Sequence, residues 1–196
     1  MRNRYRSILF VGAPGAGKGT QSQAIGQLPG FYWFGTGAAL RALGPESDLG
    51  RQVQPYLQRG DLVPNALVIK VWKQHLDDAR EQGEYSPPHD MALLDGLPRD
   101  IAQATALEPH VDMQLVVHLK VEDDEVLKDR IRQRNARPDD RDETVIEHRF
   151  RVYHERTSPL LTHYGAGKVV EVDAAQRPLR VLEQVARKIR TSLAVD

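Results

Sequence analysis

The stretch from Phe10 to Thr20, Phe-Val-Gly-Ala-Pro-Gly-Ala-Gly-Lys-Gly-Thr, constrains this chain more than any other. A short β-rich run, Ser7-Ile8-Leu9-Phe10-Val11, stops at a glycine-rich turn, and a lysine and good helix formers follow. Such a turn presents successive backbone N–H groups at a helix N-terminus, a ready-made cradle for phosphate. Lys18 can reach outer phosphates as a point charge, and a hydroxyl beside Mg²⁺ completes the usual set. That hydroxyl normally follows the lysine directly. Here Gly19 intervenes and Thr20 carries it.

Beyond this turn, strand-like apolar runs alternate with helix-length segments, the pattern of a parallel sheet with helices on both faces. Strands are expected at Ser7–Val11, Phe31–Phe34, Met91–Leu94, Met113–Leu119 and Val169–Val172. Helices are expected at Lys18–Gln27, from Gly35-Thr36-Gly37 to Leu43, and from an N-cap at Ser47 to Arg59, where Gly60 ends it. Further helices are expected at Asn65–Glu81, Ile101–Leu107, Glu122–Arg134 and Pro178–Leu193. The segment Asp142–Tyr164 reads as one long helix bent at Pro159, where an N–H is lost. Thr36–Pro64 and Asn135–Asp140 interrupt the rhythm and are candidate moving parts.

Composition narrows the class. The 196 residues suit one α/β domain, and 27 basic against 27 acidic side chains give no bulk field toward nucleic acid or an anionic membrane. Cysteine is absent, which excludes disulfides and thiolate metal sites and suits a reducing cytoplasm. The start, Met1-Arg2-Asn3-Arg4-Tyr5-Arg6, superficially copies a signal peptide, but the apolar run after it is only about five residues long. No segment approaches the roughly 20 apolar residues of a membrane span. A soluble, cytoplasmic protein without nucleic-acid or membrane partners is expected.

Gly12–Thr20, taken with Asp95-Gly96-Leu97-Pro98-Arg99, resembles the adenylate kinases of the nucleoside-monophosphate kinase family. That family's loop reads Gly-x-Pro-Gly-x-Gly-Lys-Gly-Thr, so Gly19 is its expected residue. The other motifs follow in family order: Thr36-Gly37 with Arg41, Gly60-Asp61-Leu62-Val63-Pro64, Gln103, Asp129-Arg130 with Arg134, Arg137-Pro138-Asp139-Asp140, and Tyr153 through Pro159. The resemblance spans nearly the whole chain. It implies a single P-loop kinase domain with a five-stranded parallel core (1–34, 65–134 and 141–196). A helical NMP-binding insertion (about 35–64) and a short lid (about 135–140) complete it.

The activity implied is ATP + AMP ⇌ 2 ADP with Mg²⁺, a reaction that needs two nucleotides in line, water excluded and charge stabilised on the moving phosphoryl group. On the donor side the resemblance assigns the ATP phosphates to Gly15, Ala16, Gly17, Lys18, Gly19 and Thr20. Arg130 would cover the adenine, with Gln176 as a further contact. Thr20 and Asp95 would serve Mg²⁺, partly through water. On the acceptor side Arg41 and Arg99 would bind the AMP phosphate. Thr36, the Asp61-Leu62-Val63 backbone and Gln103 would read the base, beside Gly96, Leu97 and Pro98. A Gln amide both donates and accepts, matching the N1/N6 edge of adenine. Arg134, Arg137 and Arg149 would converge on the transferring group, the last two also facing AMP, and with Lys18 and Arg99 they form the catalytic set. Guanidinium suits these tasks because it is planar, always charged and bidentate to phosphate. No general base is demanded, since the acceptor is already an anion.

Several residues depart from the family pattern. Where the family reads Ile-Ser-Thr-Gly-Asp, this chain has Phe34-Gly35-Thr36-Gly37-Ala38. Two polar groups are lost at the start of the acceptor helix, where an aspartate is worth about 0.3–1 kcal/mol. AMP affinity is expected to feel this more than the transfer step. Leu97 replaces a Phe, Ala174 stands where Gly is common, and only Asn135-Ala136 separates the lid arginines. Without cysteine the lid is not the zinc-bearing type. UMP/CMP kinases carry Asn near Gln103, so AMP is favoured over pyrimidine acceptors, with a low-turnover nucleotide sensor as a further alternative. His148, His154 and His163 read as surface or helix-packing residues, Trp33 and Trp72 as packing, and Asp139-Asp140 as orienting the lid arginines. A monomer is expected.

Overall fold

The computed structural model describes residues 4–87, 89–134 and 138–193, without the side chains of Pro138 and Asp139. Met1–Asn3, with which the signal-like start begins, and the lid residues Asn135, Ala136 and Arg137 lie outside the described residues. The strands are β1 (Tyr5–Val11), β2 (Phe31–Gly35), β3 (Met91–Asp95), β4 (Val111–Lys120) and β5 (Val169–Asp173). They form one five-stranded, all-parallel sheet in the order β2-β3-β1-β4-β5, as the alternating pattern implies. The helices are α1 (Lys18–Ile25), α2 (Thr36–Ala42), α3 (Asp48–Arg59), α4 (Asn65–Glu81), α5 (Ile101–Leu107), α6 (Asp124–Arg134), α7 (Glu143–Val152), α8 (Pro159–Tyr164) and α9 (Pro178–Leu193).

The central strand explains the layering. Successive side chains of a strand face opposite sides of the sheet, and β1 is apolar on both. Ile8 and Phe10 enter a core with Ile25 of α1, Leu127 of α6 and Val185 of α9. Leu9 and Val11 enter the other, with Trp72 and Leu76 of α4 and Leu107 of α5. Helix ends follow the local chemistry of the sequence. Ser47 Oγ accepts from the Gly50 N–H at 2.9 Å, and Gly60 closes α3 in the left-handed region.

One expectation is corrected. Asp142–Tyr164 is helical almost throughout, but as α7, a wider π-turn and α8 rather than as one regular α-helix. After α7, Tyr153–Thr157 form a π-turn in which the Ser158 N–H donates to the Tyr153 carbonyl at 2.9 Å, and α8 then starts at Pro159. Proline lacks the N–H that would continue the α ladder, so the wider turn absorbs the mismatch.

The register sets where function can sit. Phe10 of β1 and Gly35 of β2 both lie opposite Asp95 of β3, so three strands finish together at their carboxyl ends. Open α/β sheets bind ligands in the crevice outside those ends. Among the described residues no helix is long and apolar enough to cross a membrane.

Trp72 offers a test of the second core. It is fully buried, meets Tyr5 edge-on at 5.6 Å between ring centroids, and its Nε1 has no hydrogen-bond partner among the described residues. Trp72→Ala should lower the unfolding free energy by about 3–5 kcal/mol. Trp72→Phe should cost far less, because it also removes a buried donor that has nothing to bond. Urea unfolding of both variants checks this, and equal losses would contradict it.

Candidate active site

The strand ends open into a cleft of about 350 Å³, joined by a narrower recess of about 90 Å³. Gly15, Gly17, Lys18, Gly19 and Thr20 line the cleft, whereas Ala16 is buried beneath it. The Ala16 N–H donates to the Ala13 carbonyl at 3.1 Å and closes the turn. Lys18 Nζ donates to the carbonyls of Gly12 (2.7 Å) and Ala13 (3.0 Å), so the ammonium is already folded back over the turn. Gly15 has φ +84°, and a Cβ there would lie 2.6 Å from the Leu127 carbonyl oxygen of α6. Only glycine meets both conditions.

Gly19 has a different reason. A Cβ on it would lie 3.2 Å from Asp95 Oδ2, so its bareness lets the β3 carboxylate approach the start of α1, beside Thr20. That is the physical sense of the residue between lysine and hydroxyl. Among the described residues no three His, Cys, Asp or Glu side chains gather as a metal-binding group. An ion at Thr20 and Asp95 would therefore draw its remaining ligands from phosphate and water.

Arg130 lines the cleft with its guanidinium fixed by two carbonyls, Nη1 to Ala174 at 2.8 Å and Nη2 to Ala175 at 2.9 Å. Gln176 is not brought to the cleft. Its Nε2 donates to Asp173 Oδ2 at 3.0 Å, and the residue faces Arg180 and Arg187 of α9 on the surface.

The recess gathers the acceptor candidates. Thr36 and Arg41 come from α2, Asp61, Leu62 and Val63 from the α3–α4 turn. Gly96, Arg99, Gln103 and Arg149 complete it. Leu97 is fully buried and anchors its segment, while Pro98 borders the larger cleft. The Thr36 hydroxyl is buried and has no hydrogen-bond partner among the described residues. Gln103 is buried, with Oε1 accepting from the Arg99 N–H at 2.7 Å. The Arg99 carbonyl accepts from Thr157 Oγ1, also at 2.7 Å, and Arg156 pairs with Asp100 at 2.6 Å. The π-turn thus grips the segment that carries Arg99.

Three cations, Arg41, Arg99 and Arg149, converge where cleft and recess meet. Arg99 reaches solvent through the open cleft, yet the protein crowds its guanidinium. That enclosure, then the like charges of Arg149 and Arg41, push its proton affinity down, and Asp95 opposes them. Asp140 is buried and takes Arg134 Nη2 at 2.7 Å and Arg149 Nη1 at 3.5 Å, which aligns two of the expected lid-side arginines. The third, Arg137, and the Asp139 side chain lie outside the described residues.

Some contacts were not legible beforehand. The Asp61 side chain, counted only for its backbone, is bonded to Arg59 Nε (2.8 Å) and His148 Nε2 (2.7 Å), and these hold its carboxyl below the usual range. His148 therefore ties α7 to the α3–α4 turn, a packing role rather than a purely surface one. Trp33 borders the cleft, where packing alone was expected; the missing side chain at Gly35 was the one available signal.

The family model described as adenylate kinase matches residues 10–169. The chain is 38% identical over 194 residues to an adenylate kinase of Synechococcus sp. (strain WH7803), covering 95% of this chain and 98% of that one. It is 36% identical over 196 residues to one of Rhodopirellula baltica, covering 95% and 96%. Against one of Thermus thermophilus it is 34% identical over 199 residues, covering 97% and 98%. A match running from the central strand to the last one, with over a third of residues shared along nearly full length, settles the grouping: the chain belongs to the adenylate kinase family.

Proposed function

We infer that the cleft and its recess divide one reaction between them, ATP at the phosphate turn and AMP between α2, the α3–α4 turn and α5. The reaction is the family's, reversible transfer of the terminal phosphoryl group of ATP to AMP to give two ADP. The observation that carries the division is the buried, partnerless Thr36 hydroxyl in a recess that Arg41 and Arg99 flank and Gln103 closes. An unpaired buried hydroxyl is a cost that a bound base can remove.

In this reading the N–H groups of residues 15–20 take the ATP phosphates, and Lys18 moves from the turn's carbonyls to the outer pair. Arg41 and Arg99 hold the AMP phosphate. One of its oxygens attacks the terminal phosphorus as the bond to the ADP oxygen breaks, so no base has to remove a proton. Arg134 and Arg149, aligned by Asp140, stabilise the charge in flight together with Arg137. Arg130 flattens against the donor base, and Gln176 is left as a more distant candidate. Thr20 and Asp95 would hold Mg²⁺, which neutralises phosphate charge when bound. The reading includes core segments 1–34, 65–134 and 141–196, an acceptor insertion at 35–64 and a short lid at 135–140. It also includes a monomer in the cytoplasm, a compartment with which a cysteine-free sequence is compatible.

Three outcomes are expected. In a coupled assay with ATP and AMP, CMP, UMP or GMP, AMP should be the best acceptor, and a better pyrimidine would overturn the base assignment. Lys18→Met should lower kcat by about 10²–10³, with some loss of melting temperature because two hydrogen bonds to turn carbonyls go with the ammonium; near-normal turnover would remove Lys18 from its role. Thr36→Val should raise the AMP KM by about three- to tenfold while melting stays level or rises, because the hydroxyl is unpaired until AMP binds. Steady-state kinetics beside thermal melts separates these effects.

A further inference from the structure

Trp33 and Gly35 fit one another on β2. The Trp33 Nε1–H donates to Ser22 Oγ at 3.0 Å, and the Ser22 hydroxyl, fully buried, donates to the Lys18 carbonyl at 2.8 Å. Two hydrogen bonds therefore link the indole to the first residue of α1, the lysine itself. The six-membered ring lies over Gly35. A Cβ at that position would fall 2.6 Å from Cη2 and nearer still to Cζ2, so no side chain fits at 35 while the indole stays. Gly35 is also the residue from which α2 starts, and α2 carries Thr36 and Arg41. Both Trp33 and Gly35 border the cleft, and neither lines the base recess.

We propose that Trp33 is a positioning residue of the acceptor half: its indole replaces the wall that a side chain at 35 would form, and Ser22 fixes that wall to the helix bearing Lys18. The proposal rests on reading the recess as the AMP site. The indole sets the height of the Gly35 peptide, and with it the placing of Thr36 and Arg41 relative to the phosphate turn. Residues 33 and 35 then form an exchangeable pair. A side chain at 35 requires a smaller one at 33.

The test compares wild type, Gly35→Ser, Trp33→Ala and the double variant in the ATP/AMP assay, with melting temperatures alongside. Gly35→Ser should raise the AMP KM about tenfold and leave the ATP KM within about twofold, since overpacking falls on the acceptor wall. The double variant should recover at least about threefold of that loss, a coupling that independent sites do not show. Trp33→Phe, which keeps a ring without the N–H, should sit between wild type and Trp33→Ala. A wild-type AMP KM in Gly35→Ser, or a double variant no better than Gly35→Ser, would overturn the proposal. If Gly35→Ser does not fold, Trp72→Phe leaves Trp33 as the sole tryptophan. Its emission should then change on saturating AMP, and constant emission would also overturn the proposal. Wild type without AMP-dependent ADP formation would instead remove the acceptor reading itself.

Discussion

The arrangement depends on one close approach, that of the Asp95 carboxylate to the first turn of α1. The pairing of Phe10 with Asp95 brings the ends of β1 and β3 level, and a Cβ at Gly19 would crowd the carboxylate at 3.2 Å. β1 is apolar on both faces and lies between β3 and β4 at the centre of the sheet. The phosphate turn is closed from the other side by α6, whose Leu127 carbonyl lies where any side chain at Gly15 would project. The donor half is thus shaped almost wholly by backbone. Backbone N–H groups held by such contacts are preorganised, which makes oriented donors effective toward developing charge.

The acceptor half is built by different means. Arg99 has its N–H held by Gln103 and its carbonyl by Thr157, so both flanks of the residue are set by side chains from elsewhere. Arg41, Arg99 and Arg149 crowd one another, with Asp95 and Asp140 as the interspersed anions. Like charges in such proximity repel, and a phosphate dianion relieves the repulsion. The α3–α4 turn and α7 are already held together there by Asp61 and His148.

The sheet, α4, α5 and α9 were readable because each carries an unbroken periodicity and clear end signals: Asn65–Glu81, Ile101–Leu107 and Pro178–Leu193 match the expected bounds. The π-turn was not, since a single wide turn leaves no repeat, and the hydroxyl of Thr157 finds its partner 58 residues away. The same divide holds in the site. Lys18, Arg41 and Arg99 were named from local motifs, and all three line the cleft. The Asp61 carboxyl meets His148, 87 residues away, and no local pattern reports such a contact; the Trp33 indole lies against Gly35 two residues on, a fit that only the folded strand shows.

The missing polar groups at 35 and 38 now have a structural setting. α2 starts without a side-chain cap or an acidic residue in its first turn. Loss of a cap costs about 0.5–2 kcal/mol, yet Leu40 of the same helix is buried in the second core and the indole covers Gly35. Apolar contact therefore holds in place a helix start that hydrogen bonding would otherwise secure. Such contact is less directional than a capping bond, so the placing of Thr36 depends on how tightly the indole fits. The phosphate turn is constrained by backbone approaches, which leave a side chain at Gly15 no room. In the proposed pairing of residues 33 and 35, a polar side chain at 35 or a large ring at 33 would serve the same placing, and this chain carries the ring.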